Sequence, residues 1–148
     1  DALGRDDVDY LIARAIQFFV PGTPQVYYVG LLAGENDLER VERTGVGRDI
    51  NRHHYTEDEI LVALKRPVVV KLMELIHLRN KLAAFVGTFS IESSPAEELI
   101  LRWDGADAFA ELHVDLRERR ATIGYSDAGQ TGSFDIGSGH LQQRSGAA

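Results

Sequence analysis

Arginine and acidic side chains concentrate in one short segment, Arg48-Asp49-Ile50-Asn51-Arg52, which directly follows a glycine. Two guanidinium groups and a carboxylate could bind a polar or carboxylate-bearing ligand, because arginine is a rigid donor that stays charged. The same groups could instead form a salt bridge that holds the loop in place. The residue types alone leave both interpretations open.

Two other segments contain residue types that bind metals or cofactors. His53-His54 precedes Glu57-Asp58-Glu59, but this spacing matches no metal-ligand pattern, and adjacent histidines point in different directions. We therefore expect a solvated junction between a loop and a helix, with no metal. Gly45-Val46-Gly47 lacks the third glycine and the preceding strand of a dinucleotide loop. No cofactor is expected.

Composition excludes several classes of function. The 148 residues carry a net charge of -7, whereas nucleic-acid binding requires clustered lysine and arginine. The absence of cysteine excludes disulfides, thiolate catalysis and cysteine-based zinc sites. No apolar run approaches the roughly 18 residues of a membrane span. The acidic start resembles no signal peptide. The absence of cysteine is compatible with the cytoplasmic location that we expect. Because residue 1 is Asp, we also expect the chain to begin within a longer protein or to be processed.

The first half of the chain has the pattern of an α/β fold. Apolar residues at helical spacing predict an amphipathic helix over residues 6–19, which Pro21-Gly22 ends. The short run Gln25–Val29 is rich in β-branched and aromatic residues and predicts a buried strand. A helix, a short turn and a buried strand are typical of parallel α/β folds.

The polar segment 31–55 shows no clear period, and we expect it to be an irregular functional loop at the carboxyl end of the strand. Thr56 and Glu59 have the spacing of a capping box, which predicts a helix start. Pro67 fits the first turn of a longer helix that ends near Ala84.

Alternating apolar residues then predict an antiparallel β domain over residues 86–137. Trp103 follows this alternation, which favours core packing over sugar stacking. Hairpin turns are expected at residues 104–107 and 117–119, and a flexible tail over 138–148. The predicted fold class is thus α/β plus β, with residues 1–85 as an incomplete α/β domain.

Several motifs carry a family resemblance. Pro21–Gly30 (PGTPQVYYVG) resembles the eighth-strand region of the α-amylase superfamily. Leu31–Glu39 (LLAGENDLE) and Thr44–Thr56 (TGVGRDINRHHYT) resemble the narrower sucrose phosphorylase branch, as do short motifs at residues 65–69, 78–80 and 87–89. The resemblance runs from Ala2 to Phe89, with the motifs in the family's order.

The resemblance implies the C-terminal end of a (β/α)8 TIM barrel, its last helix-strand-helix, followed by a small antiparallel β domain. Residues 6–19 would be the seventh barrel helix, Gln25–Val29 the eighth strand, and the eighth helix would lie within residues 57–84. Family members perform a retaining double displacement, with an Asp nucleophile, a Glu acid/base and a further Asp that stabilises the transition state. The resemblance implies that all three precede this chain, so no catalytic residue is assigned here.

The resemblance also implies one substrate-binding residue. Arg48 matches the family arginine that helps to hold the glucosyl unit. Asp49, Asn51 and Arg52 also match the motif, but the resemblance leaves open whether they contact the ligand or stiffen the loop. The implied partners are a sugar and inorganic phosphate, and we expect no nucleic-acid or membrane partner. Homodimerisation of the parent enzyme is compatible with the resemblance. The implied reaction converts sucrose and phosphate to α-glucose 1-phosphate and fructose.

Two alternatives stay open. A sister phosphorylase could act on sucrose 6'-phosphate, glucosylglycerol or glucosylglycerate, and Asp49 favours the sucrose and glucosylglycerol types. A non-catalytic carbohydrate-binding module could be built on the β part. The chain alone is predicted to be inactive.

Overall fold

The computed structural model describes residues 2–136 and 141–144. Its α-helices are α1 (Asp7–Phe19), α2 (Tyr28–Leu31), α3 (Leu38–Thr44), α4 (Glu57–Ala63) and α5 (Pro67–Lys81), with 3-10 turns at Gly47–Asn51 and Ala83–Val86. Its strands are β1 (Thr88–Glu92), β2 (Glu98–Asp104), β3 (Phe109–Asp115), β4 (Arg120–Asp127), β5 (Gln130–Ile136) and β6 (Leu141–Arg144).

Helix α1 begins where the sequence predicts. The Asp6 carboxylate accepts hydrogen bonds from the amides of Val8 and Asp9, at 2.9 and 3.0 Å, and so caps the N-terminus. The apolar face of α1 is buried in the core, through Leu11, Ile12, Ala15, Phe18 and Phe19. The helix is therefore specified both by its cap and by the core it covers.

Residues 25–29 do not form the predicted buried strand. Tyr27 keeps an extended backbone, but helix α2 starts at Tyr28, and both tyrosines are exposed. A strand requires hydrogen-bonded neighbours, and no described strand pairs with this segment. Local β propensity alone does not form a strand, and the prediction is wrong for this structure.

Helices α4 and α5 follow their sequence signals. Thr56 and Glu59 form the reciprocal hydrogen bonds of a capping box at the start of α4. Pro67 occupies the first turn of α5, where its missing N–H removes no helical hydrogen bond. Helix α5 ends at Lys81 rather than near Ala84, because a 3-10 turn takes over at Ala83.

The six strands form one antiparallel sheet in sequence order, β1-β2-β3-β4-β5-β6. Every second side chain of the central strands is buried, as the alternation predicts; the most deeply buried include Leu101, Ala110, Leu112, Val114, Ala121 and Ile123. Both predicted hairpin turns are confirmed, between β2 and β3 and between β3 and β4.

Strand β6 corrects the expectation of a flexible tail over residues 138–148. Its backbone pairs with β5, from Thr131 opposite Arg144 to Phe134 opposite Leu141. The free edge of β5 offers unpaired backbone groups that this segment can satisfy. The remainder of the predicted tail lies outside the described residues.

The helices and the sheet share one hydrophobic cluster, in which α1 and α5 pack against the buried face of the sheet. Trp103 of β2 is 7% exposed, and its Nε1 donates to the Phe19 carbonyl at 2.6 Å. Arg79 of α5 donates to the Phe18 carbonyl at 2.8 Å and stacks on the Phe85 ring. The C-terminal carbonyls of α1 are thus satisfied by α5 and by the sheet, and Trp103 is a core residue, as predicted.

Candidate functional site

The segment between α2 and α4 is more regular than the sequence suggests. Residues 31–55 were expected to be irregular, but Leu38–Thr44 forms helix α3. The Asp37 carboxylate accepts from the Arg40 amide at 2.9 Å and caps the N-terminus, and Gly45 ends the helix in the left-handed conformation, at φ 66°. Both signals are present in the sequence. The hydrophobic pattern does not reveal the helix, because α3 buries none of its residues.

Arg48 lies on the 3-10 turn Gly47–Asn51, which follows α3. The Asp49 amide donates to the Val46 carbonyl at 2.9 Å within this turn, and the Asp37 amide donates to the Ile50 carbonyl at 2.7 Å. The turn is therefore tied to the start of α3. Arg48 itself is exposed, and it makes no hydrogen bond or ion pair with any residue that the structure describes.

Asp49 is 9% exposed and lies beneath the turn. Its Oδ2 is 3.8 Å from Arg40 Nε, and its Oδ1 is 4.0 Å from Arg52 Nη1. A buried carboxylate needs such charge compensation. These contacts are compatible with the loop-stiffening interpretation of Asp49 and Arg52, which stays a prediction. Asn51 is exposed and has no partner among residues 2–136.

His53 lies between two carboxylates from different elements. Its Nδ1 is 3.2 Å from Asp37 Oδ2, and its Nε2 is 3.4 Å from Glu59 Oε1. The backbone carbonyl of His53 accepts from Tyr28 Oη at 2.9 Å. His54, in contrast, is exposed. Of the two adjacent histidines, only His53 has carboxylate partners among the described residues.

Backbone and side-chain donors lower the pKa of both carboxyl groups that face His53. The Arg40 amide, followed by the His53 side chain, lowers the pKa of Asp37. The backbone and hydroxyl of Thr56, followed by the His53 side chain, lower the pKa of Glu59. A general acid in glycoside cleavage requires a raised pKa, so neither carboxyl group suits that role.

Three tyrosines surround this network. The Tyr28 ring stacks on Tyr27 at a centroid distance of 4.5 Å, and Tyr55 meets the His53 ring edge-on at 4.6 Å. A Cβ at Gly34 would overlap with the Tyr55 hydroxyl, so a larger residue at this position would require the Tyr55 side chain to move. Burial is the largest cause that raises the pKa of both Tyr55 and Tyr28. Both phenols are therefore neutral near pH 7.

A cleft of about 520 Å³ opens beside these residues, lined by Leu32, Gly34, Glu35, Asn36, Asp37, Leu38, Glu39, His53, Tyr55, Ala63 and Arg66. Arg66 anchors one side through the carbonyls of Leu32 and Ala33. Arg48 does not line this cleft. Within residues 2–136 and 141–144, no group of three His, Asp or Glu side chains is arranged to hold a metal ion.

Comparison with known proteins identifies the relatives of this chain. A sucrose phosphorylase from Agrobacterium vitis is 55% identical over 123 residues, which are 83% of this chain and 25% of that protein. The chain is homologous to sucrose phosphorylases over most of its length. A glucosylglycerol phosphorylase from Marinobacter adhaerens is 46% identical over 127 residues, or 86% of this chain and 26% of that protein. No family model matches.

A crystal structure of sucrose 6F-phosphate phosphorylase from Thermoanaerobacter thermosaccharolyticum superposes on this sucrose phosphorylase homologue with a TM-score of 0.87. The two are 47% identical, and the match covers 91% of this chain and 28% of that chain. The homologue thus spans about a quarter of the length of the relatives it matches.

The structure separates the four residues of the homologue that the sequence singled out. Arg48 and Asn51 are exposed, whereas Asp49 lies within 4.0 Å of both Arg40 and Arg52. The sequence did not identify the contacts of His53, because its two carboxylate partners are 16 and 6 residues away along the chain. Among the described helices, none is both long and apolar enough to cross a membrane.

Proposed function

We propose that this chain forms the C-terminal end of a (β/α)8 barrel, with its β domain, in a retaining glycoside phosphorylase. The parent enzyme would convert sucrose and phosphate to α-glucose 1-phosphate and fructose. The identity to sucrose phosphorylases over most of the chain supports this proposal, as does the match of its fold to the C-terminal part of a phosphorylase structure.

In the proposed reaction an Asp attacks the anomeric carbon and a Glu protonates the leaving oxygen, giving a covalent glucosyl-enzyme and fructose. Phosphate then attacks that carbon, the Glu accepts the proton of the attacking oxygen, and the Asp leaves. A further Asp stabilises both transition states. We assign these carboxylates to the roughly three quarters of the relatives' length that this chain does not cover, so the chain alone is expected to be inactive.

Arg48 is the residue through which this chain would contact the substrate. An exposed guanidinium without a described partner retains all five donors for a ligand. The turn beneath it is held by the buried Asp49 and by the bond between Asp37 and Ile50. A charged donor on a rigid support can fix a sugar hydroxyl and thereby position the anomeric carbon for attack.

The acceptor of the reaction distinguishes the sister activities. Relatives with comparable identity are named for sucrose, sucrose 6(F)-phosphate and glucosylglycerol. All three donors share the glucosyl unit that Arg48 would bind, whereas the acceptor contacts belong to loops outside this chain. Sucrose is our first choice, with sucrose 6'-phosphate, glucosylglycerol and glucosylglycerate as the alternatives.

The outer face of the sheet does not favour a carbohydrate-binding module. Sugar-binding surfaces present flat, accessible aromatic rings. Phe109 lies on the outer face, but the guanidinium of Arg102 covers its ring at 4.8 Å. Arg102 is itself held by Asp104 and Glu111. Trp103 is buried on the opposite face.

The test uses a chimaera in which this chain replaces the matching C-terminal quarter of the Agrobacterium vitis sucrose phosphorylase. A charge-assisted hydrogen bond contributes about 1.5–3 kcal/mol, so we expect Arg48→Ala to lower kcat/KM for sucrose by roughly 10- to 150-fold. Arg43→Ala is the matched control, because Arg43 is also exposed and has no described partner. It should leave the kinetics unchanged.

Release of α-glucose 1-phosphate from sucrose and phosphate is the assay, and the unfused chain is its negative control. Parental kinetics in the Arg48→Ala chimaera would remove Arg48 from the sugar site. Product formation by the unfused chain would show that the catalytic carboxylates lie within it.

A further inference from the structure

We propose that His53 is a positioning residue for Arg48, holding the turn Gly47–Asn51 in place through Asp37 and Glu59. This inference rests on the proposed function of Arg48. It concerns a side chain that has no described contact with Arg48. The sequence provides no motif that assigns His53 such a role.

His53 joins the turn to three other elements. It follows the turn directly in the chain, separated only by Arg52. Its ring contacts Asp37 at the start of α3 and Glu59 in α4, and its carbonyl accepts from Tyr28 in α2. No other imidazole in residues 2–136 contacts carboxylates from two different helices. Removing this ring would leave the loop fixed by fewer long-range contacts.

Asp37 connects the ring to the turn. Its Oδ2 faces His53, its Oδ1 caps α3 through the Arg40 amide, and its own amide donates to the Ile50 carbonyl at 2.7 Å. Ile50 is two residues from Arg48, within the same 3-10 turn. A shift of Asp37 would therefore be transmitted directly to the backbone that carries the arginine.

Glu59 holds the opposite side of the ring. Its Oε2 accepts hydrogen bonds from the Thr56 amide and hydroxyl, at 2.7 and 2.9 Å. The orientation of the carboxylate is therefore fixed independently of its contact with His53. The edge of the His53 ring also packs against Tyr55. The imidazole is thus in contact through both nitrogens and through its ring edge, so its orientation is restrained by three side chains.

The protonation form of the ring determines how many of these contacts are hydrogen bonds. A neutral imidazole donates from one nitrogen, whereas an imidazolium donates from both. The charged and titratable groups that face the ring are Asp37 on α3, Glu59 on α4 and the phenols of Tyr28 and Tyr55. Arg40 lies beyond Asp37, and Arg66 beyond Tyr55. Each of the two carboxylates can accept a hydrogen bond from the ring nitrogen that it faces whenever that nitrogen carries a hydrogen.

The experiment is a double-mutant cycle in the same chimaera. We expect His53→Ala to raise KM about tenfold for both sucrose and α-glucose 1-phosphate, because both contain the glucosyl unit, and to leave KM for phosphate unchanged. In the Arg48→Ala background, His53→Ala should have no further effect, because its action passes through that arginine. His54→Ala, which alters the exposed neighbouring histidine, is the matched control and should behave as the parent.

The outcomes separate this inference from the proposed function. If Arg48→Ala is silent, the sugar-binding role of Arg48 fails, and the inference fails with it. Two outcomes would overturn only the positioning role. In the first, Arg48→Ala lowers activity but His53→Ala has no effect. In the second, adding His53→Ala to Arg48→Ala lowers activity further. Should His53→Ala not fold, Asp37→Asn and Glu59→Gln preserve side-chain shape and must show the same parallel change in both donor KM values.

A second measurement uses the chain itself. The Asp37 amide, which is bonded to Ile50, should exchange with solvent at least tenfold faster in His53→Ala than in the parent. The same amide should be unaffected in His54→Ala. Equal exchange rates in both variants would show that the ring does not hold the turn.

Discussion

Lys71 is the buried charge whose replacement should stabilise the protein. Its side chain is 7% exposed, and its Nζ has no hydrogen-bond partner among the described residues. The ammonium lies 4.6 Å from the centre of the Phe134 ring, between α5 and β5. Burial lowers the pKa of Lys71, while the carboxylates of Glu74 and Asp135 act in the opposite direction. The protein thus buries a cation with incomplete compensation.

The expected gain follows from two opposing contributions. A buried donor without a partner costs about 1–3 kcal/mol, and the cation–π contact returns about 0.5–2 kcal/mol. Methionine has a similar length and no charge, so Lys71→Met should stabilise the fold by about 0.5–1 kcal/mol. For a domain of this size, 1 kcal/mol shifts Tm by about 2–4 °C, which predicts a rise of about 1–4 °C.

The assay is thermal unfolding of the chain, followed by circular dichroism, at several pH values. Because the folded pKa of Lys71 lies below its unfolded value of 10.5, the unfolded state binds more protons between the two pKa values. The parent therefore gains stability as pH rises through that window. The advantage of Lys71→Met should be full near pH 7 and should shrink as pH approaches 10.5.

Lys65→Met is the control, because Lys65 is exposed and its replacement should leave Tm nearly unchanged. A lower Tm for Lys71→Met at pH 7 would refute the reasoning. It would mean that the contact with Phe134 and the two carboxylates outweighs the cost of burying the ammonium.

Two further predictions concern the core and the loop. Trp103→Phe removes the donor to the Phe19 carbonyl and leaves a cavity, so it should destabilise the fold by about 2–4 kcal/mol in urea denaturation; an unchanged midpoint would show that the bond contributes nothing. The pKa values of Asp37 and Glu59 are lower in the folded state than their unfolded values of 3.8 and 4.5. Both carboxylates therefore contribute their full stabilisation of the loop at pH values above these unfolded pKa values. As pH falls below about 4.5, amides near His53 should exchange faster before those of the core, and Asp37→Asn with Glu59→Gln should abolish this dependence.

Much of the fold could be predicted because its signals are local. The Asp6 cap, the capping box at Thr56 and the proline at the start of α5 each specify a helix end by backbone chemistry within a few residues. The central strands alternate with period two because one face of the sheet is buried. Gln25–Val29 failed this approach, since the hydrogen bonds that define a strand come from neighbours that local sequence does not contain.

The candidate site could be predicted only in part. The sequence motif located Arg48, but no pattern indicates that its guanidinium lacks a partner while that of Arg52 faces Asp49. The burial of Asp49 depends on Arg40, which belongs to a helix that the hydrophobic pattern does not reveal. His53 meets Asp37 across 16 residues, and such a contact exists only once the chain has folded.

The core also shows how the two predicted parts depend on each other. At the C-terminus of α1, Trp103 of the sheet donates a hydrogen bond to the Phe19 carbonyl, and Arg79 of α5 donates one to the Phe18 carbonyl. At the other end of α1, Arg119 in the turn between β3 and β4 forms ion pairs with Asp6 and Asp9, at 2.6 and 2.9 Å. Both ends of this helix are therefore fixed by the β part. Since α1 leads directly into the segment that carries Tyr27 and the Arg48 turn, the sheet stabilises the base from which the proposed sugar-binding loop extends.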